Sequence, residues 1–195
     1  MSVTLKDKAV LIAGATSEIG KQVTAELLAA GARCEITFHS DAALGELFAF
    51  LKGRGLPAFG QPLIPIKLNN FNQSQVIWGP VAAQRDFGRL ELMVNLLDTQ
   101  LETRELDSVR KLTETALPLM KKRGFGRIVH VSPDRKALTS LAVEKEGDVL
   151  VTGIDPGTEN AKPEAIAKKV MEFLGIAAKS PVTQEVQPAG PLTSA

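Results

Sequence analysis

The chain has 195 residues, 44% of them hydrophobic and 23% charged, with a formal net charge of +1. That is the size and balance of one globular domain, expected to span residues 1–195, and it offers no electrostatic reason to invoke nucleic acid or an acidic membrane as partner. A single cysteine, Cys34, excludes an internal disulfide framework and a cysteine-based metal cluster, and the two histidines, His39 and His130, stand too far apart for ligand spacing, so no metal is expected. With no early stretch of signal-peptide form and no run near the roughly 20 apolar residues that span a bilayer, the expected location is the reducing cytoplasm.

The first element is KAVLIAGATSEIG, Lys8 to Gly20. Ala9 to Ala13 lack polar alternation, as in a strand covered on both faces, and Gly14 supplies the tight turn that follows. A helical pattern then runs from Ile19 to Ala30, turning Ile19, Val23, Leu27 and Leu28 to the sheet, with Gly31 as its stop. Free backbone N–H groups and the positive end of the dipole make such a helix start a site for phosphate, and a first βα turn of this kind holds the dinucleotide in doubly wound folds.

A second strand, Arg33 to Phe38, leads to His39, Ser40 and Asp41, with Asp41 read as the N-cap of a helix over Ala42 to Leu51. The third strand is Leu63 to Leu68. The helix after it, Gln73 to Phe87, should kink or split at Gly79 and Pro80, with Trp78 beside the break in the core or at an interface. The fourth strand is Leu90 to Leu97, a long helix covers about Glu105 to Lys122, and Arg127 to Val131 form the fifth strand. Asp148 to Ile154 make a sixth, and Pro163 suits the first turn of a helix ending near Leu174, with Gly175 as its stop. The predicted class is α/β, a doubly wound Rossmann-like, mostly parallel sheet of about seven strands in the order 3-2-1-4-5-6-7, shortened after the fifth.

GATSEIG resembles the G-x-x-x-G-x-G element of the short-chain dehydrogenase/reductase family, with Gly14 and Gly20 in the first and third glycine positions and Glu18 in the middle one. Glu18 there either sets bulk and negative charge beside a pyrophosphate or caps the positive end of the helix. ITFHSDAA is similar to the family's NADP-type strand end, and FGRLELMVNLL to its F-G-x-L-D-x-L-V-N-N-A-G, of whose last four residues Asn95 survives while Leu96, Leu97 and Asp98 replace the others. ALPLMKKRGFGRIVHVS matches the family's helix and fifth strand almost position by position, and SPVTQEVQPAGPLTSA resembles its last strand and terminal turn. The chain is thus identified as a degenerate member, similar to NADP-type 3-oxoacyl-ACP-reductase-like proteins. The resemblance implies cofactor contacts at Gly14, Thr16, Ser17, Glu18, Ile19, Gly20, His39, Ser40, Asn69 and Asn95, with NADP or NAD as the cofactor, weakly bound or lost.

The catalytic residues of the family are missing. Pro133 takes the serine position, the catalytic asparagine falls on Glu105, and the chain contains no tyrosine. In the family that phenol passes a proton as hydride moves, its pKa lowered by a lysine four residues on. Asp134 to Gly147 is too short for the helix that carries both. His130, Asp134 and Lys136 are the candidate substitutes for acid–base work. Two readings follow: a pseudoenzyme with a binding or scaffold role, or a divergent NADP-dependent oxidoreductase acting on a carbonyl or hydroxyl substrate. Loss of the catalytic helix is also expected to uncover Val109, Leu112, Ala116 and Leu119, favouring a homo-oligomer or a complex with a related reductase.

Overall fold

The computed structural model describes residues 4–68, 76–97, 103–141, 148–157 and 162–175, and for 103–105 the backbone alone. In chain order these are β1 (Ala9–Ala13), α1 (Glu18–Ala29), β2 (Arg33–Phe38), α2 (Asp41–Lys52), β3 (Leu63–Lys67), α3 (Trp78–Phe87), β4 (Leu92–Leu96), α4 (Thr103–Lys121), β5 (Gly126–Val131), α5 (Arg135–Leu141), β6 (Val149–Ile154) and α6 (Pro163–Gly175). The described strands form one sheet in the order β3-β2-β1-β4-β5-β6, every pair parallel. This is the doubly wound Rossmann-like arrangement expected from the sequence. The segment read as the seventh strand lies outside the described residues.

The apolar run of β1 is buried because it sits between β2 and β4, Val10 pairing with Cys34 on one side and Leu92 on the other. Its alternate residues feed two cores. Val10 and Ile12 join Cys34, Ile36, Leu92, Val94, Val129 and Val131 beneath α1, α2 and α6. Leu11 joins Met93, Ile128 and Val149 beneath α3 and α4. At the lower end of the sheet, Glu91 holds β1 and β4 together, accepting from Lys8 Nζ at 2.7 Å and from the Ala9 amide at 3.0 Å.

Three expectations change. Ser40, not Asp41, is the N-cap of α2: Ser40 is extended and its Oγ accepts from the Ala43 amide, while Asp41 has already entered the helix and receives Lys67 Nζ at 2.6 Å. Of the two places expected for Trp78, core or interface, the core is excluded, since the side chain is 57% exposed. The face of α4 expected to be uncovered is covered within the chain. Leu112 and Ala116 pack with Leu11, Met93 and Ile128, Leu119 lies partly buried against the same cluster, and Val109 is buried too. The underside of α4 rests on the sheet itself, so shortening the next helix does not expose it.

The predicted interruption before Gly79 and Pro80 is present. Val76 is helical, Ile77 is a turn, and α3 begins at Trp78. Proline lacks the N–H that would bond to the carbonyl of Val76 and its ring crowds that carbonyl, which puts the break just ahead of it. Shortening after β5 is equally direct: β5 ends at Val131, β6 begins at Val149, and the described residues between them hold one helix, α5.

Candidate functional site

The strand order reverses between β1 and β4, so the carboxyl ends of these two strands form the switch point where open α/β sheets take ligands. Gly14 leaves β1 with φ +80°, and a Cβ there would lie 2.6 Å from the Leu96 carbonyl oxygen. A Cβ on Gly20 would collide with the Gly14 carbonyl oxygen and stand 2.7 Å from the Ala15 carbonyl. Both glycines are therefore dictated by backbone meeting backbone. Ser17 locks the turn: its Oγ accepts from the Gly20 amide at 3.1 Å and donates to the Gly14 carbonyl at 2.9 Å. With Gly20 so engaged, the amides of Glu18 and Ile19 are the first-turn donors without an intrahelical acceptor.

Thr16 lies half-buried at this turn, and half-buried Ile19 packs back on the α1-side core. Glu18 points along the helix. Its Oε1 accepts from Lys21 Nζ at 2.8 Å, and the same ammonium reaches Glu46 Oε2 on α2 at 3.2 Å. The hydrogen bond to Glu18 is the main cause that raises the Lys21 pKa, outweighing desolvation. His39 is exposed at the end of β2, while Ser40 is occupied in capping α2. Asn69 lies outside the described residues.

The far side of the switch point differs. Asn95 and His130 are register partners on β4 and β5, both buried, with Asn95 Nδ2 3.1 Å from His130 Nδ1. Asn95 Oδ1 and His130 Nε2 have no hydrogen-bond partner. Burial drives the His130 pKa down to about 4, so the imidazole is neutral at ordinary pH. Asn95 is thus buried beside a histidine of the neighbouring strand. Lys136 is exposed in the first turn of α5, 2.9 Å from Asp134 Oδ1 through its backbone amide alone. Asp134 is the cap of that helix, also accepting from Ala137 N at 3.1 Å. Arg135 ties α5 to the end of β6 through Asp155 at 2.7 Å, and Leu138 presses on Gly153, where a Cβ would find it at 3.1 Å. The structure does not bring His130 and Lys136 together as an acid–base pair. For Glu105 the backbone is helical and the side chain lies outside the described ones.

Lys21 and Glu46, the partners of Glu18, and the buried Glu35 escaped the sequence reading. The Glu18, Lys21 and Glu46 cluster had a partial signal, since Glu18 and Lys21 stand three apart on a helix. Glu35 is fully buried in β2 with neither carboxylate oxygen partnered. Desolvation, reinforced by Asp86, raises its pKa to about 8. Among the described residues no group of three His, Cys, Asp or Glu could hold a metal ion, and no helix is long and apolar enough to cross a membrane.

No family model matches the chain, and no curated protein matches it. Solved structures do. A metagenomic short-chain oxidoreductase in complex with NADP superposes with a TM-score of 0.74 at 18% identity, over 91% of this chain and 95% of that one. Glucose dehydrogenase of Caenorhabditis elegans in its apo form gives 0.68 at 18% identity, covering 88% and 90%. A short-chain dehydrogenase from Streptomyces avermitilis gives 0.62 at 22%, covering 80% and 67%. With the reversed strand order and the glycine turn already in place, this chain has the fold of the short-chain dehydrogenases/reductases.

Proposed function

We propose that this protein holds the diphosphate of NADP(H), or of NAD(H), at the β1–α1 turn and carries out no hydride transfer of the reductase kind. The residues fit the phosphate end of such a cofactor. Two glycines bring the backbone close, two first-turn amides are open, and the Glu18 carboxylate is directed onto Lys21. A bound nicotinamide would supply or accept hydride, but the carbonyl oxygen that hydride transfer leaves behind needs a proton from the protein. The observation that carries the pseudoenzyme reading is the absence of any tyrosine together with the short stretch between the end of β5 at Val131 and the start of β6 at Val149. His130 is walled in and neutral, so it is no substitute.

Binding is weaker in this reading than in a reductase with all three glycines, because Glu18 keeps a negative charge near the turn. The exposed Ile77, Trp78 and Val81 at the start of α3 support assembly as a homo-oligomer or with a related reductase, and the buried thiol of Cys34 suits a cytoplasmic location. The test is NADPH oxidation with a panel of carbonyl compounds beside a direct NADPH titration: binding without turnover is expected. Reproducible turnover abolished by Lys136→Met would establish the divergent oxidoreductase instead.

A further inference from the structure

We infer that Lys21 is a positioning residue that keeps the β1–α1 turn open to a diphosphate, by holding the Glu18 carboxylate along the side of α1. This rests on the dinucleotide reading above and adds a residue to it. The anchor of the cluster is the cation: the Lys21 side chain is 10% exposed, against 77% for Glu18 and 69% for Glu46. Lys21 Nζ lies 2.8 Å from Glu18 Oε1 and 3.2 Å from Glu46 Oε2, so two exposed carboxylates meet one largely buried lysine side chain between α1 and α2.

Take that ammonium away and Glu18 is left at the first position of α1, where the strongest positive potential within reach is the start of its own helix. The donors there are the same amides of Glu18 and Ile19 that a diphosphate needs, since Ser17 Oγ already occupies the amide of Gly20. A carboxylate drawn to that end competes with the ligand for donors and repels its charge. Lys21 thus makes a glutamate tolerable at a position where bulk and like charge would otherwise exclude the ligand.

The experiment titrates NADPH into the full chain by fluorescence, for the original protein, Lys21→Met, Lys21→Arg, Glu18→Gln and the Lys21→Met/Glu18→Gln double variant. Lys21→Met is expected to weaken binding about tenfold, the scale of one partly screened charge contact. Lys21→Arg, which keeps the cation, should bind like the original protein. The double variant should return to within about threefold of it, although it lacks the lysine, because no carboxylate remains to be held. If Lys21→Met binds as tightly as the original protein, or if the double variant stays as weak as Lys21→Met, Lys21 does not act through Glu18 and the inference is overturned. It is also overturned if the original protein fails to bind while Glu18→Gln binds, since the carboxylate was then never held aside. Failure of every form to bind NADPH defeats the dinucleotide reading itself, a pattern distinct from the others.

Discussion

The two halves of the sheet have fared differently. In β1–α1–β2 the spacing of Gly14, Ser17 and Gly20 is intact, and each residue has a mechanical reason to be there: a positive φ, a cap, a contact of backbone on backbone. In β4–β5–β6 the strands pair in parallel register, and two polar side chains, Asn95 and His130, are buried against each other. Packing keeps a strand as long as its apolar face is kept, whereas a catalytic constellation is held only by its chemistry. Under the function proposed above, the half organised around a turn keeps its geometry while the half that would carry a proton transfer does not.

The largest effect expected from a single change falls in the first half. Gly20→Val adds a Cβ that must displace the backbone of Gly14 and Ala15, and no side chain can give way instead. We predict a loss of about 3 kcal/mol or more, or failure to fold, measured by urea denaturation. The contrasting change in the second half is Gly153→Ala, whose Cβ meets only the side chain of Leu138. It should cost about 1 kcal/mol or less. Equal losses for the two would mean that the turn is no more constrained than the remodelled half.

Much of this contrast was legible in the residues. β2 was placed at its observed limits, and β1 was fixed by an unbroken apolar run closed by Gly14. What could not be read was orientation across elements. Asn95 matches a family motif, but that its amide meets His130 depends on the register of β4 with β5. The α4 face could be recognised as apolar, but not that β1, β4 and β5 already cover it. Asp41 and Ser40 are both good caps by type, and one residue of backbone conformation decides between them. Glu35 within RCEITF was invisible as a buried carboxyl because a strand alternates faces, and here both faces are covered.

Glu35 and His130, a buried titratable group from each half, give the comparison a thermodynamic form, because pH acts on them in opposite directions. Glu35 has a folded pKa of about 8 against an ordinary 4.5. The folded state therefore holds the proton more tightly, and the stability it contributes is full below pH 4.5 and is lost as pH rises through 8. His130 has a folded pKa of about 4 against 6.5, so its contribution is present above pH 6.5 and is lost as pH falls through 4. Between about pH 4.5 and 6.5 the two slopes oppose and nearly cancel. Between 6.5 and 8 Glu35 acts alone, and unfolding free energy should fall by about 2 kcal/mol across that window. Glu35→Gln should flatten the fall above pH 6.5 and uncover the rise due to His130 below it. A wild-type profile already flat from pH 6.5 to 8 would mean that Glu35 is ionised or solvated in the folded protein.

The smallest predicted effects concern the two helix caps. Ser17 caps α1, a helix of 12 residues whose inner face lies in the core beneath the sheet, and its hydroxyl joins Gly14 to Gly20. Asp134 caps α5, of which 7 residues are described, through the amides of Lys136 and Ala137. The hydrogen bonds are alike, but what depends on them is not. α1 cannot fray at its start without opening the β1 turn and the contact of Gly20 with Ala15, so Ser17→Ala should lower global stability by about 1 kcal/mol. α5 packs beside β6, the last strand in the described sheet order, with Leu138 on Gly153, and such a peripheral helix can open by itself while the sheet stays folded. Asp134→Ala should therefore leave the denaturation midpoint within about 0.5 kcal/mol of the original while speeding hydrogen exchange at Leu138, whose amide bonds to the Asp134 carbonyl at 3.0 Å. If Asp134→Ala instead lowers global stability as much as Ser17→Ala, α5 unfolds together with the sheet, and the second half has been rebuilt as firmly as the first was kept.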